Sequence, residues 1–284
     1  MVEDDAGGRT SQDPFELVVA AVGQVAPSLL RIELGGADLA RYIPLGASDE
    51  AAVLHVPLDS GGHDTRGRWY TICDVRDGAS GPRLVVEMVT HEGGVGASWA
   101  RRARQGDRVV LSTRSSWFRR PADARWQLLL GDVAALPALS RIVAESPPGL
   151  RTTAVVEVPD HRDRRALPGA EVTWVHRPDL GAGSGLADLA RRAVLPAGPG
   201  YVYAAGEAAA TRGVRRHLRH ELGLSPSRYA VIGYWRLDAE RWIRRYEQSM
   251  DTFERIWRDA ESAGRDDEEV RDIYEAGLAE AGLL

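Results

Sequence analysis

The stretch Arg119-Arg120-Pro121-Ala122-Asp123-Ala124-Arg125-Trp126-Gln127-Leu128-Leu129-Leu130-Gly131-Asp132 is where the pattern of the chain changes. Its first part, Arg119–Asp123, carries basic, proline and alanine residues without periodicity, as a connection does. Trp126–Leu130 then runs continuously apolar up to Gly131, as a strand buried on both faces of a parallel sheet does. Downstream, the patterns alternate: helix Ala134–Glu145, strands Thr153–Val158 and Glu171–Val175, helix Gly185–Ala193, strand Tyr201–Ala205, helix Ala208–Leu222 and strand Tyr229–Trp235. Strands alternating with helices predict an open, mostly parallel α/β sheet.

Upstream of the boundary the segments are short and rich in β-branched or aromatic residues: Phe15–Val22, Leu29–Leu34, Ala52–Pro57, Trp69–Val75, Leu84–Val89 and Arg108–Leu111. Gly35-Gly36, Gly61-Gly62 and Asp77-Gly78 supply turns between them. This spacing predicts an all-β barrel or sandwich, with helical insertions at Ala37–Tyr42 and Ala97–Arg104. The tail, Asp238–Leu284, reads as helical. Trp242, Tyr246, Met250, Phe253 and Trp257 recur at three- and four-residue steps and form one apolar stripe, expected to dock on the body of the protein. Gly264 separates a last helix, Asp266–Ala281. The expected organisation is an arm (1–13), a β domain (14–121), an α/β domain (122–237) and a helical extension (238–284).

The chain has 284 residues, enough for two domains, and its 44% hydrophobic and 27% charged content is that of a globular protein. No apolar run is long enough to cross a bilayer, so no membrane insertion is expected. Met1–Pro14 is acidic and polar and lacks the regions of a secretory signal; it reads as a short disordered arm of a cytoplasmic protein. The net charge of −5 argues against a nucleic-acid partner. Every one of the 36 Lys+Arg residues is arginine, whose planar fork suits phosphates and carboxylates. Cys73 is the only cysteine, which excludes an internal disulfide and an iron–sulfur cluster. Redox chemistry would therefore use an organic cofactor or a metal held by other ligands. His217, His220 and Glu221 share a helical face, but Arg215, Arg216 and Arg219 surround them, and no metal site is expected.

Five segments carry candidate chemistry. Arg68-Trp69-Tyr70-Thr71-Ile72-Cys73 places a cation, aromatics and a hydroxyl along one strand, where alternation alone cannot aim them all at one ligand without a bend or bulge. His91-Glu92-Gly93-Gly94-Val95-Gly96-Ala97-Ser98-Trp99-Ala100 is a glycine-rich loop entering a helix, suited to a diphosphate. Gly131-Asp132 closes the first parallel strand and leads through Val133 and Ala135 into a helix, at a nucleotide-accepting edge. Gly206-Glu207 forms the junction of a later strand and helix, with Glu207 at the helix start. Gly233-Tyr234-Trp235-Arg236 ends the last strand. Arg162, Arg164 and Arg165 follow the second parallel strand, where a ribose 2′-phosphate often sits.

In this order the segments resemble those of the siderophore-interacting proteins, within the ferredoxin-reductase-like flavoproteins, and the resemblance spans Phe15 to Arg236. It implies an antiparallel FAD-binding β-barrel followed by an NAD(P)H-binding-type α/β domain. It also implies roles. Arg68 would bind phosphate, Tyr70 would pack on the flavin and Thr71 would hydrogen-bond near N5, which makes Tyr70 and Thr71 the candidate catalytic pair. His91, Gly96, Ala97, Ser98 and Trp99 would hold the FAD pyrophosphate. Gly131, Asp132, Gly206 and Glu207 would line the nicotinamide edge, with Tyr234 and Trp235 near the flavin or covering it. The chain departs from the family pattern at Cys73, where a second arginine is usual, at Val95, where a proline is missing, and at Val133 and Ala135, which replace polar residues. The activity implied is reduction of a ferric siderophore through FAD, with NADPH or NADH as donor. Arg101, Arg102, Arg104, Arg119 and Arg120 are candidates for a basic pocket taking the anionic chelate. Recruitment to another reaction on a small organic molecule, and ligand binding without catalysis, are the alternatives. A monomer or homodimer is expected.

Overall fold

The computed structural model describes residues 13–78, 81–91, 93–179 and 183–284. The expected arm falls almost wholly outside the described residues, as does Glu92 of the glycine-rich loop. Six strands close an antiparallel barrel: β1 (Phe15–Ala26), β2 (Leu29–Gly35), β3 (Ala51–His55), β4 (Arg68–Gly78), β5 (Gly81–Val89) and β6 (Arg108–Ser115). Their order is β1-β2-β5-β4-β3-β6, and pairing of β1 with β6 completes the closure. Closure removes both exposed edges and resolves the choice between barrel and sandwich. A 3₁₀ turn, Ala37–Arg41, and the short helix α1, Val95–Ala100, fill the two expected helical insertions.

Five parallel strands follow: β7 (Trp126–Gly131), β8 (Arg151–Val158), β9 (Ala170–His176), β10 (Gly200–Glu207) and β11 (Tyr229–Trp235). Their order, β11-β10-β7-β8-β9, puts β7 at the centre, where every one of its residues is buried. Its one polar side chain, Gln127, is fully engaged: it donates to Ser146 Oγ at 2.7 Å and Thr152 Oγ1 at 3.0 Å and accepts from Arg120 at 2.8 Å. Unpaired, that amide would cost several kcal/mol, roughly 2–7. The crossover helices are α2 (Leu136–Ala144), α3 (Leu186–Arg192) and α4 (Ala208–Arg216), the last continuing as a π turn to Glu221.

Barrel and sheet share one core. Leu29 and Ala51 of the barrel, with Trp117 of the connection, join Leu129, Val133, Leu136, Leu139, Val156 and Tyr203 from the α2 side of the sheet. A second cluster fills the barrel, around Phe15, Ile32, Leu54, Val86, Trp99 and Leu111. A third lies under α3 and α4. Residues up to Trp235 accordingly form one compact unit, and Arg236–Leu284 forms another.

The second unit comprises α5 (Ala239–Glu247), α6 (Met250–Ser262) and α7 (Asp267–Glu280). The expected stripe is split between α5 and α6. Trp242, Tyr246, Phe253 and Trp257 pack against Tyr274, Leu278 and Leu283 in a core of the tail's own, while Met250 stays exposed. The helical period gave the stripe correctly. Its partner is supplied by α7, which Asp266 and Glu269 start with a capping box. Among the described residues no helix is long and apolar enough to cross a membrane.

Candidate active site at the barrel–sheet junction

Strand β4 meets the sheet domain through helix α2. Arg141 on α2 donates to the Ile72 carbonyl at 2.6 Å. Alternation divides the β4 side chains between two faces. Trp69 joins the core shared with the sheet, whereas Tyr70 and Ile72 face the barrel cluster. Tyr70 and Thr71 therefore point to opposite sides, and the aromatic residue that shares the Thr71 face is Trp69. Trp69 meets Trp117 edge-on at 5.2 Å between centroids, and Trp117 lies 6.4 Å from Tyr234 at the end of β11.

The bend anticipated in this strand exists. The pairing of β4 with β5 slips between Ile72 and Asp74, so Cys73 occupies a bulge. Its thiol is turned towards Glu87, which Arg31 of β2 and Arg165 of the loop after β8 clamp at 2.7 and 2.6 Å. Burial pushes the Cys73 thiol up to about 12, and the Glu87 carboxylate adds to this. Burial works against the Glu87 charge, yet the two guanidiniums hold its carboxyl below the usual range. Arg165 thus serves as a tie between the sheet and the barrel. So does Asp163, which accepts from the Ser28 N–H and hydroxyl at 2.8 Å each.

Behind β4 lies the glycine loop. Gly96 sits so close to Tyr70 that a Cβ there would stand 2.1 Å from the Tyr70 hydroxyl, so only glycine fits. Ala97 and Trp99 are buried, Ser98 is half-buried and His91 is exposed. Arg101 donates to the His91 carbonyl, which fixes the loop to the first turn beyond α1. Arg68 is paired with Asp64 at 3.0 Å.

The ends of β7, β10 and β11 are tied by one carboxylate. Asp132 accepts from the Ala134 N–H at 2.9 Å, the Glu207 N–H at 2.9 Å and the Trp235 indole at 2.7 Å. Burial raises its pKa to about 6 against the pull of these three hydrogen bonds. Gly206 is required beside it, since its φ is 155° and a Cβ would lie 2.6 Å from Asp132 Oδ2. Glu207 caps α4 by accepting from the Ala210 N–H at 2.9 Å. Val133 and Ala135 are buried in the shared core. Gly131, Asp132, Gly206 and Glu207 do converge on one edge, with Asp132 and Glu207 engaged in holding it together.

A further group at the junction carried no sequence signal. Asp49, wholly buried just before β3, accepts from Ser116 Oγ at 2.7 Å and from the Trp117 and Phe118 N–H groups at 2.9 Å each. It also accepts from the Tyr203 hydroxyl at 3.2 Å, and Tyr203 meets the Tyr234 hydroxyl at 2.9 Å. The Thr71 hydroxyl faces Tyr234 without a well-formed hydrogen bond between them. Thr71 Oγ1 and Trp117 Nε1 are both buried with no partner in the protein. Orphaned polar atoms of this kind are rare in a finished core, and each calls for a partner such as a water, an ion or a ligand.

Of the arginines proposed for a basic pocket, Arg102 pairs with Asp59 at 2.7 Å. Arg119 is spent on Ser116 and the Phe118 carbonyl, and Arg120 on Gln127. Arg102 and Arg104 line one open cavity together with Asp59, Trp99 and Asp107.

Two family models match this chain: the siderophore-interacting FAD-binding domain over residues 57–115 and the siderophore-interacting protein over residues 124–238. The chain belongs to the siderophore-interacting protein family. A solved siderophore utilization protein from T. fusca is 28% identical, with a TM-score of 0.67 over 81% of this chain and 96% of that one. The ferric vibriobactin reductase ViuB of Vibrio cholerae is 27% identical over 233 residues, 75% of this chain and 85% of that protein. The NADPH-dependent ferric-chelate reductase of Escherichia coli is 23% identical over 245 residues, 78% of this chain and 92% of that one. FAD is the cofactor of this family's barrel domain, and the junction fits it. A flavin edge bearing nitrogen and oxygen atoms matches the orphaned Thr71 hydroxyl and Trp117 indole.

Proposed function

We propose that the protein is a flavin-dependent ferric-siderophore reductase that uses FAD and a nicotinamide nucleotide. The observation that carries this reading is the junction itself. A barrel strand with an unpartnered hydroxyl, Thr71, faces the C-terminal ends of parallel strands, the side of an open α/β sheet on which ligands bind. The relatives named as ferric reductases support it. Bound FAD would take electrons pairwise from the nucleotide and hand them singly to Fe(III), chemistry that no side chain here supplies.

The residues have distinct tasks in this reading. Thr71 and Trp117 orient the reacting edge of the ring, and Trp69 flanks it. Gly96, Ala97 and Ser98, entered from His91, present backbone to the diphosphate, with Trp99 buried and Tyr70 half-buried behind them. Arg68 adds a cation. The cation that the family places at Cys73 comes instead from the Arg31–Arg165 pair, which carries one positive charge in excess of Glu87. Gly131 and Gly206 open the sheet edge to the nicotinamide, while Asp132 and Glu207 keep its shape. Tyr234 and Trp235 close the side next to β11.

The test is the visible spectrum of the purified protein before and after anaerobic NADPH, followed by ferric siderophore with a ferrous-iron trap. Flavin bands that bleach and a trapped Fe(II) signal are expected. A protein that takes up no FAD would overturn the reading. One set of observations favours a donor other than NADPH. Val133 and Ala135 are buried, Arg162 is paired with Asp160 at 2.6 Å and Arg165 with Glu87, so the loops after β7 and β8 offer few free polar groups. Bleaching by a reduced electron-carrier protein, but not by NADPH or NADH, is the outcome that selects this second reading.

A further inference from the structure

The face of the α/β sheet beneath α3 and α4 is covered unequally. Over β7, β10 and β11, Leu130, Val202 and Val231 lie buried with Leu186 and Val214 of these helices. On β8 and β9, Thr153 and Val155 of that face are only half-buried and Thr173 is exposed. At this step in the cover lies a cavity of about 280 Å³. Trp126, Leu128, Val155 and Leu189 form its apolar wall, and Val194, 92% exposed, stands at its rim. Gly200 makes room for the Trp126 ring, which a Cβ there would strike, and the indole donates to the Gly198 carbonyl at 3.2 Å. Of β7, the cavity takes the first half, Trp126, Gln127 and Leu128, so it is separate from the junction, which uses Gly131 and Asp132 at the other end of that strand.

Among the described residues that line this cavity, Arg192 is the one charged residue, and none is a carboxylate. The Arg192 guanidinium makes no hydrogen bond or ion pair with a described residue, whereas its neighbour Arg191 is shared between Asp188 and Glu221. The hydroxyls of Thr153 and Thr173 also have no protein partner. The cavity beside Arg102 and Arg104 differs, because Asp59 and Asp107 line it as well and Asp59 pairs with Arg102. An apolar recess on which a few polar groups converge is the usual build of a small-molecule site. A free guanidinium fork in it suits a carboxylate. Size narrows the occupant further. A dry cavity of about 150 Å³ takes one benzene, so this one has room for a ring, a carboxylate and short substituents. A folded partner would cover about 800 Å² on this chain, yet Val194 is the only large apolar residue of the lining that is exposed. We infer that the recess between α3 and strands β7–β9 binds a small carboxylic acid with a one-ring apolar body, the ring against Trp126 and Leu128 and the carboxylate on Arg192. Thr153 and Thr173 are the further donors. The site is independent of the flavin reading above.

The experiment titrates the full chain with benzoate, and with benzamide as its uncharged counterpart, by isothermal calorimetry. One benzoate per chain is expected, bound about tenfold tighter than benzamide, because a hydrogen bond to a charged group is roughly twice as strong as a neutral one. Arg192→Gln, a change at an exposed side chain, lowers benzoate affinity about tenfold, to the level of benzamide. Thr173→Trp fills the recess from an exposed position and abolishes binding of both compounds. Urea unfolding checks that the two variants are folded, and their FAD uptake matches wild type. Absence of saturable benzoate binding overturns the inference, as does binding that survives Thr173→Trp. Equal affinity of the wild-type protein for benzoate and benzamide overturns it too. Self-association in sedimentation that Thr173→Trp abolishes would assign the recess to a second copy of the chain and overturn it likewise. A protein that takes up no FAD but binds benzoate in this pattern loses the flavin reading and keeps this one.

Discussion

Removing the Asp49 side chain is the most direct test of how barrel and sheet are joined. Asp49→Ala leaves four donors without an acceptor: the Trp117 and Phe118 N–H groups and the Ser116 and Tyr203 hydroxyls. A buried donor left unsatisfied costs about 1–3 kcal/mol. The two N–H groups are fixed by the chain and bear the full cost. The hydroxyls can rotate, and a water admitted to the small cavity recovers part of theirs. The sum is about 4 kcal/mol, a large share of the roughly 5–15 kcal/mol that holds a protein folded. For a body of this size it lowers Tm by roughly 10–15 °C. Asp49→Asn keeps one oxygen for the N–H groups and costs about 1 kcal/mol. The assay is urea unfolding followed by tryptophan emission, since Trp69 and Trp117 sit at the junction. Asp49→Ala within about 1 kcal/mol of wild type would refute the reasoning, because that is less than a single unsatisfied donor costs. Equal losses for the alanine and asparagine variants would show that the lost hydrogen bonds are not the cause.

Three further outcomes are expected. Gly96→Ala drives a Cβ into the Tyr70 hydroxyl and destabilises the barrel, and Tyr70→Phe added to it restores stability because the next ring atom stands 3.4 Å away; no rescue in the double variant's melting curve rejects the contact. The Asp132 pKa of about 6 lies above the ordinary carboxylate value of 3.8, so the folded state binds that proton more tightly than the unfolded state, and the stability it brings at low pH is lost as pH rises through that interval. Urea unfolding across this range should show wild-type stability falling relative to Asp132→Asn by about 2–3 kcal/mol, and parallel curves would count against it. The Cys73 thiol, raised to about 12, should resist iodoacetamide in the folded protein. Its thiolate fraction at pH 8 is about a thousandfold below that of a free cysteine, and prompt alkylation seen by mass spectrometry would exclude the raised pKa.

Much of the site was legible because its signals are local. A hydroxyl on a strand, a glycine loop before a helix and glycines at strand ends each reflect a backbone requirement within a few residues. Gly96 and Gly206 are glycine for reasons the sequence hints at, and the bulge at Cys73 follows from the demand that one strand serve more than one face. Asp49 gave no signal, because an acidic residue before a strand is ordinary. Its importance comes from donors 67 to 154 residues away in the chain. Trp117, Arg31 and Glu87 escaped for the same reason, and Arg165, noted in the sequence for a ribose phosphate, is instead paired with Glu87.

Local composition and period by themselves determined the fold class: short β-branched and aromatic runs separated by turn residues in the first half, a continuous apolar run and alternating strands and helices in the second, and the three- and four-residue step in the tail. Each of these is a property of a single element, whose side chains repeat at a spacing set by backbone geometry. Only the tertiary structure decided which faces meet. It put Trp69, rather than Tyr70, beside Thr71, paired the tail's stripe with its own last helix, and spent Asp132 and Glu207 on holding the sheet edge. Those outcomes depend on hydrogen-bond donors and packing partners distant in the chain, and such partners come together only when the barrel closes and the sheet docks against it.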